Sequence, residues 1–352
     1  MNRARKRKAL LRRLKIATLL ILIAVLLAAG VFFYKKKIET EMQAGRYGSP
    51  GLENGVLEQE EPLFFTKDRI SYGGKNYRRN TYVKAVLCMG VDRTGTMEEK
   101  TTTGFGGQAD GIILIAHDTA RNNLKLLMIP RDTMTPIILT DLSGNVLGKD
   151  TQHLTLAYAY GDGREKSCEY MAEAVSDLLG GIAIDHYLAA DIDTISILND
   201  FVGGVTVTVP SEGMEKANPA FVYGSTVTLR GEQAEKFVRY RDTGQDHSAL
   251  YRMDRQQEYI LRFADAVREQ AKKDDGLVTR LFEEIQNYMV TDMEKAEYLK
   301  VAMSGLEAEG LASDGIYTLP GQGVSTAKYD EFYPDEEGMK QVVLELFYRE
   351  EE

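Results

Sequence analysis

Two arginines at i and i+2, Arg239 and Arg241, stand ahead of a second group, Arg252, Arg255 and Gln256. An i, i+2 pair faces one way only in an extended backbone; on a helix the two side chains lie about 200° apart at ~3.6 residues per turn. If both serve one ligand, the helix that starts near Gly231 must end by about Val238. Arg252, Arg255 and Gln256 are spaced i, i+3, i+4 and share one face of the next helix, in its first turns. A helix start carries partial positive charge and free N–H groups, so guanidinium groups added there make an anion site, and arginine's planar fork suits phosphate. The competing reading is that these arginines pair with the chain's many acids as ordinary salt bridges.

Three further segments are polar where strands should end. The apolar run 82–91 passes into Asp92-Arg93, the loop before the next strand finishes in Asp110, and the run 124–130 passes into Arg131-Asp132-Thr133. In α/β sheets ligands bind beyond the carboxyl ends of strands, so these charges are expected to converge on one crevice. Asp92 and Asp110 are candidate ligands for a hard divalent cation, since Mg²⁺ takes one or two carboxylates together with phosphate oxygens. Turn chemistry is the alternative, because Asp also bonds nearby backbone N–H groups.

The elements that must position these residues are short Val-, Ile- and Leu-rich runs at 82–91, 111–117, 124–130, 187–190 and 205–209, bounded by Gly, Asp or Pro as buried strands are. Between them, 168–179 and 191–201 have helical spacing, with Met171, Val175, Leu178 and Leu179 on one stripe and Ile195, Leu198 and Val202 on another. Helices are also expected at 231–238, 252–272, 278–288, 293–306 and 336–349, with a last strand at 316–319. Strands interleaved with helices predict an α/β fold, an α-β-α sandwich in three layers.

The net charge of −10 combines two unlike pieces. Residues 1–37 hold eleven Lys and Arg and no acid; removing those eleven from 43 leaves 32 basic against 53 acidic residues, a balance of −21 for the remainder. An acidic body argues against nucleic acid as a partner. Within the head, residues 16–33 form an uncharged apolar run that spans about 27 Å as a helix, close to the hydrocarbon thickness of a bilayer. Eight basic residues precede it and Lys35, Lys36 and Lys37 follow, which predicts a cytoplasmic N-terminus and an extracellular body at the cell membrane. A cleavable signal peptide is the alternative, given Ala28, Ala29 and Gly30. The expected organisation is a basic tail (1–15), a transmembrane helix (16–34), a stalk (35–79) and one catalytic domain (80–350). Cys88 and Cys168 do not make a disulfide scaffold, although one bridge between them stays open. The four histidines have no zinc-ligand spacing, and there is no Walker loop, dinucleotide fingerprint or nucleophile elbow.

Taken in order, Gly90-Val91-Asp92-Arg93, Ala109-Asp110, Ile129-Pro130-Arg131-Asp132-Thr133, Ala157-Tyr158-Ala159-Tyr160-Gly161, Gly203-Gly204-Val205, Gly231-Glu232-Gln233-Ala234, Arg239-Tyr240-Arg241 and Arg252-Met253-Asp254-Arg255-Gln256-Gln257 resemble the LytR-CpsA-Psr family. The resemblance runs from about residue 83 to 268 and thins toward the C-terminus. It implies a central mixed sheet with helices on both faces, an apolar tunnel, and a Gram-positive envelope transferase. Such an enzyme moves a glycopolymer, such as a teichoic acid or capsule, from a polyprenyl diphosphate carrier to peptidoglycan, leaving a phosphodiester link and releasing polyprenyl phosphate. It further implies that Asp92 and Asp110 hold Mg²⁺. Arg93, Arg131, Arg239, Arg241, Arg252, Arg255 and Gln256 would bind the diphosphate, with Asp92, Arg131 and Arg241 closest to the chemistry. Two positions depart from the family pattern. Gln108 stands where many members have arginine, and Ala249 where many have an acid, with Asp246 and His247 nearby. A diphosphate hydrolase and a non-catalytic lipid-binding envelope protein are the competing functions.

Overall fold

Apolar runs that are buried on both faces form the centre of the molecule. The computed structural model describes residues 64–241, 248–307, 315–326 and 329–351. The basic tail, the apolar segment and most of the expected stalk lie outside the described residues, as do Asp246 and His247; no described helix is long and apolar enough to cross a membrane. In chain order the first elements are β1 (Arg69–Tyr72), β2 (Lys75–Arg79), β3 (Val83–Val91), β4 (Ala109–Asp118), β5 (Asn123–Met128), β6 (Met134–Thr140), β7 (Val146–His153), α1 (Thr155–Ala159) and α2 (Glu165–Leu178). Then come β8 (His186–Asp191), α3 (Asp193–Phe201), β9 (Thr206–Thr208), β10 (Thr226–Thr228), α4 (Glu232–Arg239), α5 (Ser248–Ala271) and α6 (Leu277–Ile285). The last are β11 (Met289–Thr291), α7 (Lys295–Glu307), β12 (Ile316–Thr318), β13 (Gly321–Ser325), β14 (Asp330–Pro334), α8 (Glu336–Phe347) and β15 (Tyr348–Glu351).

The main sheet has the order β11-β8-β3-β4-β5-β12. It is mixed: β8 runs parallel to β3 and β12 to β5, while β3–β4, β4–β5 and β11–β8 are antiparallel. Side chains alternate across it. Ala85, Leu87, Met89 and Val91 of β3 join a core with Met171 and Val175 of α2 and Val343 and Phe347 of α8. Cys88 and Gly90 line a cavity on whose other side lie Tyr259 and Ile260 of α5. Helices thus cover both faces, which explains why the central strands read as nearly continuous apolar runs. A second core under α4 and α5 is built on Val205, Val207, Phe221 and Phe237, the two rings meeting edge to face at 5.7 Å.

The structure corrects the expected boundary at residue 79. Residues 69–79 form the β1–β2 hairpin, and β15 pairs antiparallel with β2 in the register Arg79↔Tyr348. Phe65 is buried, its N–H donates to the Gly180 carbonyl (2.7 Å), and its ring packs 5.5 Å from that of Tyr348. The stretch 64–79 therefore belongs to the folded body. The same pairing ends α8 at Phe347, two residues before the expected end, because Tyr348 leaves the helix in extended conformation (φ −123°, ψ 165°) to enter β15.

Cys88 and Cys168 are both free thiols. Cys88 faces the cavity, whereas Cys168 sits in the α2 core. Burial pushes the Cys88 thiol up to about 12 and Cys168 higher still, so neither is a thiolate at neutral pH. Reductant is accordingly expected to leave the melting temperature unchanged, and thiol titration should count no more than trace reactivity until denaturant is added; a reductant-sensitive melt would contradict the assignment.

Candidate functional site

Asp92 and Asp110 are brought together by the β3–β4 pairing. Val91 lies opposite Ala109 after a register shift at Gly90/Val91. The loop between them turns back at Gly107, whose φ of +89° favours glycine and whose added Cβ would come within 2.8 Å of Val91 Cγ1 and 3.2 Å of Asp92 Oδ1. That close approach lets the Gln108 N–H donate to Asp92 Oδ1 at 2.6 Å while the Asp92 N–H donates to the Gln108 carbonyl at 3.0 Å. Burial raises the Asp92 carboxyl above its ordinary value; the Gln108 bond opposes this, and the like charge of Asp110 adds to it.

Asp110 is shared by two guanidinium groups. Arg131, at the end of the β5 segment, donates from Nη1 to Asp110 Oδ1 and from Nη2 to Gln108 Oε1 (3.0 Å), and its Nε lies 3.3 Å from Asp132 Oδ1. Arg252 of α5 is buried, with Nη1 3.8 Å from Asp110 Oδ2 and no hydrogen-bond partner for Nε. Burial disfavours its charge and Asp110 restores part of it. Gln108, the residue that departs from the family pattern, thus anchors both Asp92 and Arg131.

Asp92, Asp110 and Arg252 edge a cavity of about 280 Å³. Its apolar lining includes Ile113, Ile195, Val238, Tyr259 and Ile260; its polar lining includes Asp92, Asp110, Arg239, Arg252 and Gln256. Arg239 is the last residue of α4 and also pairs with Glu235 (3.0 Å). Tyr240 then turns extended (φ −48°, ψ 133°), and Arg241 beyond it pairs with Asp330 of β14. The helix ends one residue after the expected Val238, and of the i, i+2 pair Arg239 lines the cavity while Arg241 does not. The acidic pairing that competes with anion binding is also present: Arg131, Arg239, Arg241 and Arg252 all have carboxylate partners.

Of the expected phosphate ligands Arg239, Arg252 and Gln256 line the cavity; Arg131 and Arg241 stand outside its lining, close enough to Arg252 to act on its charge, and Arg93 and Arg255 are committed to backbone carbonyls. Arg93 donates to the carbonyls of Thr96 (3.2 Å), Glu98 (3.2 Å) and Gly163 (3.4 Å), holding the loop that follows β3. Arg255 donates to the carbonyls of Phe237 (3.2 Å), Tyr251 (3.1 Å) and Tyr240, and burial pushes it down to about 10. Helix α5 begins at Ser248 instead of 252, and its cavity stripe is Arg252, Gln256, Tyr259, Ile260, the i, i+4, i+7, i+8 set; Arg255, about 60° from Arg252 on the side away from Gln256, stands at the edge of that stripe, and its three carbonyl partners keep its guanidinium out of the cavity. The earlier start also places Arg252 deeper in the helix, where the dipole of the terminus contributes less than expected.

Asp191, not singled out from the sequence, lines the same cavity at the end of β8, in register with Val91. It is 1% exposed, accepts from the Thr194 N–H (3.3 Å), and its Oδ2 has no hydrogen-bond partner. Burial, then the charge of Asp193, pushes it up to about 6. A charge at a strand end was the available signal, hidden because 191 was read as a helix start. Asp330 was also unseen, since nothing local marks its strand as adjacent.

No cluster of three or more His, Cys, Asp or Glu side chains suited to a metal occurs among the described residues. The Asp92–Asp110 pair nevertheless fits Mg²⁺, which needs only one or two carboxylates and fills its shell with water and phosphate oxygens; such an ion would also relieve the repulsion on Asp92.

Arg255→Ala should lower stability by about 2–4 kcal/mol in denaturant unfolding, because it strands buried carbonyls. Arg252→Ala also lowers stability, since it takes a counter-charge from Asp110, but it should abolish pyrophosphate binding while the variant is still folded, whereas folded Arg255→Ala should still bind; the reverse pattern would refute these roles. For Asp191 the sign follows from a folded-state value raised above the unfolded one. The folded state binds the proton more tightly, so stability falls as pH rises from the ordinary carboxylate range through about 6. Asp191→Asn is therefore expected to be more stable than wild type at pH 7.5, with the gap closing as pH is lowered through that window, as read from melts across pH.

Over 210 residues the chain is 30% identical to the polyisoprenyl-teichoic acid–peptidoglycan teichoic acid transferase TagV of Bacillus subtilis (strain 168), covering 56% of this chain and 49% of that protein. Over 275 residues it is 28% identical to biofilm regulatory protein A of Streptococcus mutans, covering 74% and 63%. The chain thus spans about half to two thirds of the length of these relatives. The crystal structure of B. subtilis TagV superposes with a TM-score of 0.55 at 24% identity, over 76% of this chain and 96% of that one, and shares its fold. The profile of the LytR_cpsA_psr family matches residues 63–347, and the chain belongs to that family.

Proposed function

We propose that this protein transfers a glycopolymer from a polyprenyl diphosphate carrier to peptidoglycan, forming a phosphodiester link and releasing polyprenyl phosphate. The observation that carries the reading is a single cavity with an apolar lining on one side and Asp92, Asp110, Arg239 and Arg252 on the other, a shape suited to a lipid bearing a diphosphate. The residues 1–34 would anchor the chain in the cell membrane with the body outside, where lipid carrier and wall acceptor meet.

Phosphoryl transfer depends on positioning and on neutralising charge at the phosphate oxygens. Arg131, Arg239, Arg241 and Arg252 supply that charge, already oriented by their carboxylate partners. An acceptor hydroxyl attacks the sugar-linked phosphorus, a new P–O bond forms, and the bond to the lipid phosphate breaks. Asp92 and Asp110 would hold Mg²⁺, which when bound supplies further charge neutralisation. Asp92, at the edge of the cavity, is the carboxylate placed to receive the hydroxyl proton.

Incubation of the protein with a lipid-diphosphate sugar, Mg²⁺ and peptidoglycan oligomer is expected to yield a coupled glycan, detected by mass spectrometry. Arg131→Ala should slow coupling by roughly 10²–10³-fold, the usual cost of removing one charge-stabilising donor. Release of free glycan phosphate without coupling would indicate a hydrolase and sink the proposal, as would full cellular function of an Arg131→Ala, Arg239→Ala double variant.

A further inference from the structure

We propose that Asp330 sets how strongly the site holds its anion: its carboxylate occupies the Arg241 guanidinium, and a diphosphate binds by displacing it. The inference rests on the reading of Arg241 as a phosphate ligand and adds a residue from a distant part of the chain that opposes binding.

Asp330 opens β14, which is fastened directly to the site. The Phe332 N–H donates to the Asp132 carbonyl (2.8 Å), and Phe332 forms a parallel bridge with Thr133, two residues beyond Arg131. Phe332 is itself buried. His153 Nε2 lies 3.1 Å from the Asp330 carbonyl, and the Ser325 hydroxyl donates to Asp330 Oδ1 (2.9 Å). The backbone under Asp330 is therefore held, and its Oδ2 is presented to Arg241 Nη2 by construction. Both side chains are about three-quarters buried (27% and 26% exposed), so the pair is only partly screened by water.

Asp330 differs from Asp110 in what the ligand does to it. Asp110 lines the cavity, where a cation can take over its charge; Arg241 and Asp330 both stand outside that lining, next to it through Arg252, on whose charge Arg241 acts, and there Asp330 keeps its charge when phosphates arrive. Repulsion between this carboxylate and the ligand lowers affinity, more damagingly for a ligand whose binding rests on one phosphate than for a diphosphate that engages several guanidinium groups. The resident acid thus favours departure of a monophosphate product.

Isothermal titration of the full-length chain with inorganic pyrophosphate and Mg²⁺ tests this. Asp330→Asn is expected to bind roughly threefold to tenfold more tightly than wild type, and Asp330→Glu, which keeps the charge, to bind like wild type. Equal or weaker binding by Asp330→Asn overturns the inference. Because that variant can loosen the hairpin, wild type carries a second measurement: pyrophosphate should speed amide hydrogen exchange at residues 329–332, and unchanged or slower exchange there overturns it too. Absence of pyrophosphate binding by wild type and every variant would overturn the phosphate-site reading and this inference together, whereas binding indifferent to Asp330 overturns the inference alone.

Discussion

The carboxylate of Asp110, held between Arg131 and Arg252, is the contact on which the arrangement of the site depends. Arg252 is 7% exposed, and a buried guanidinium without a counter-charge is costly. To supply that charge, β4 must begin between the segment after β5 and the flank of α5. Sheet register and helix placement are therefore coupled through one side chain. The left-handed turn at Gly107 then fastens Asp92 alongside, through paired backbone and side-chain bonds to Gln108. The result is a set of charges oriented before any ligand arrives, and pre-orientation is what makes such charges effective in transferring phosphoryl groups.

The arginines divide by what their N–H groups find. Arg93 and Arg255 are satisfied by backbone carbonyls, neutral acceptors fixed in the fold, so they brace the loop after β3 and the chain between α4 and α5. Arg131, Arg239, Arg241 and Arg252 instead lie beside carboxylates, and the Nε atoms of Arg131 and Arg252 have no hydrogen-bond partner; a phosphate can take the place of a carboxylate with like charge and similar geometry. Arg255 supports the anion site indirectly, since the Tyr240 carbonyl it holds lies between Arg239 and Arg241.

Much of the architecture is legible in local pattern. Strands β3, β4, β5 and β8 show as apolar runs because both faces of the sheet are covered, and α2, α3 and α4 show as stripes because only one face is. Strand β7, exposed along most of its length, carries no alternation, and the short strands β1, β2 and β15 are defined by a pairing between chain ends. Charges at strand ends identified Asp92, Asp110 and Arg131 for the same reason that the strands were visible. The same rule applied to β8 points to Asp191, but only once its boundary with α3 is known.

The sequence by itself determined which residue types were present to bind an anion, an arginine set without a lysine among acids, and which of them stand at the ends of strongly apolar elements. Spacing and composition suffice for that, because they act within one element. Only the tertiary structure decided which guanidinium faces the cavity and which faces a carbonyl, since the Phe237 and Tyr240 carbonyls that hold Arg255 come from a different element. It alone set Asp330 against Arg241 and placed Gln108 between Asp92 and Arg131, contacts made by segments that no local periodicity brings together.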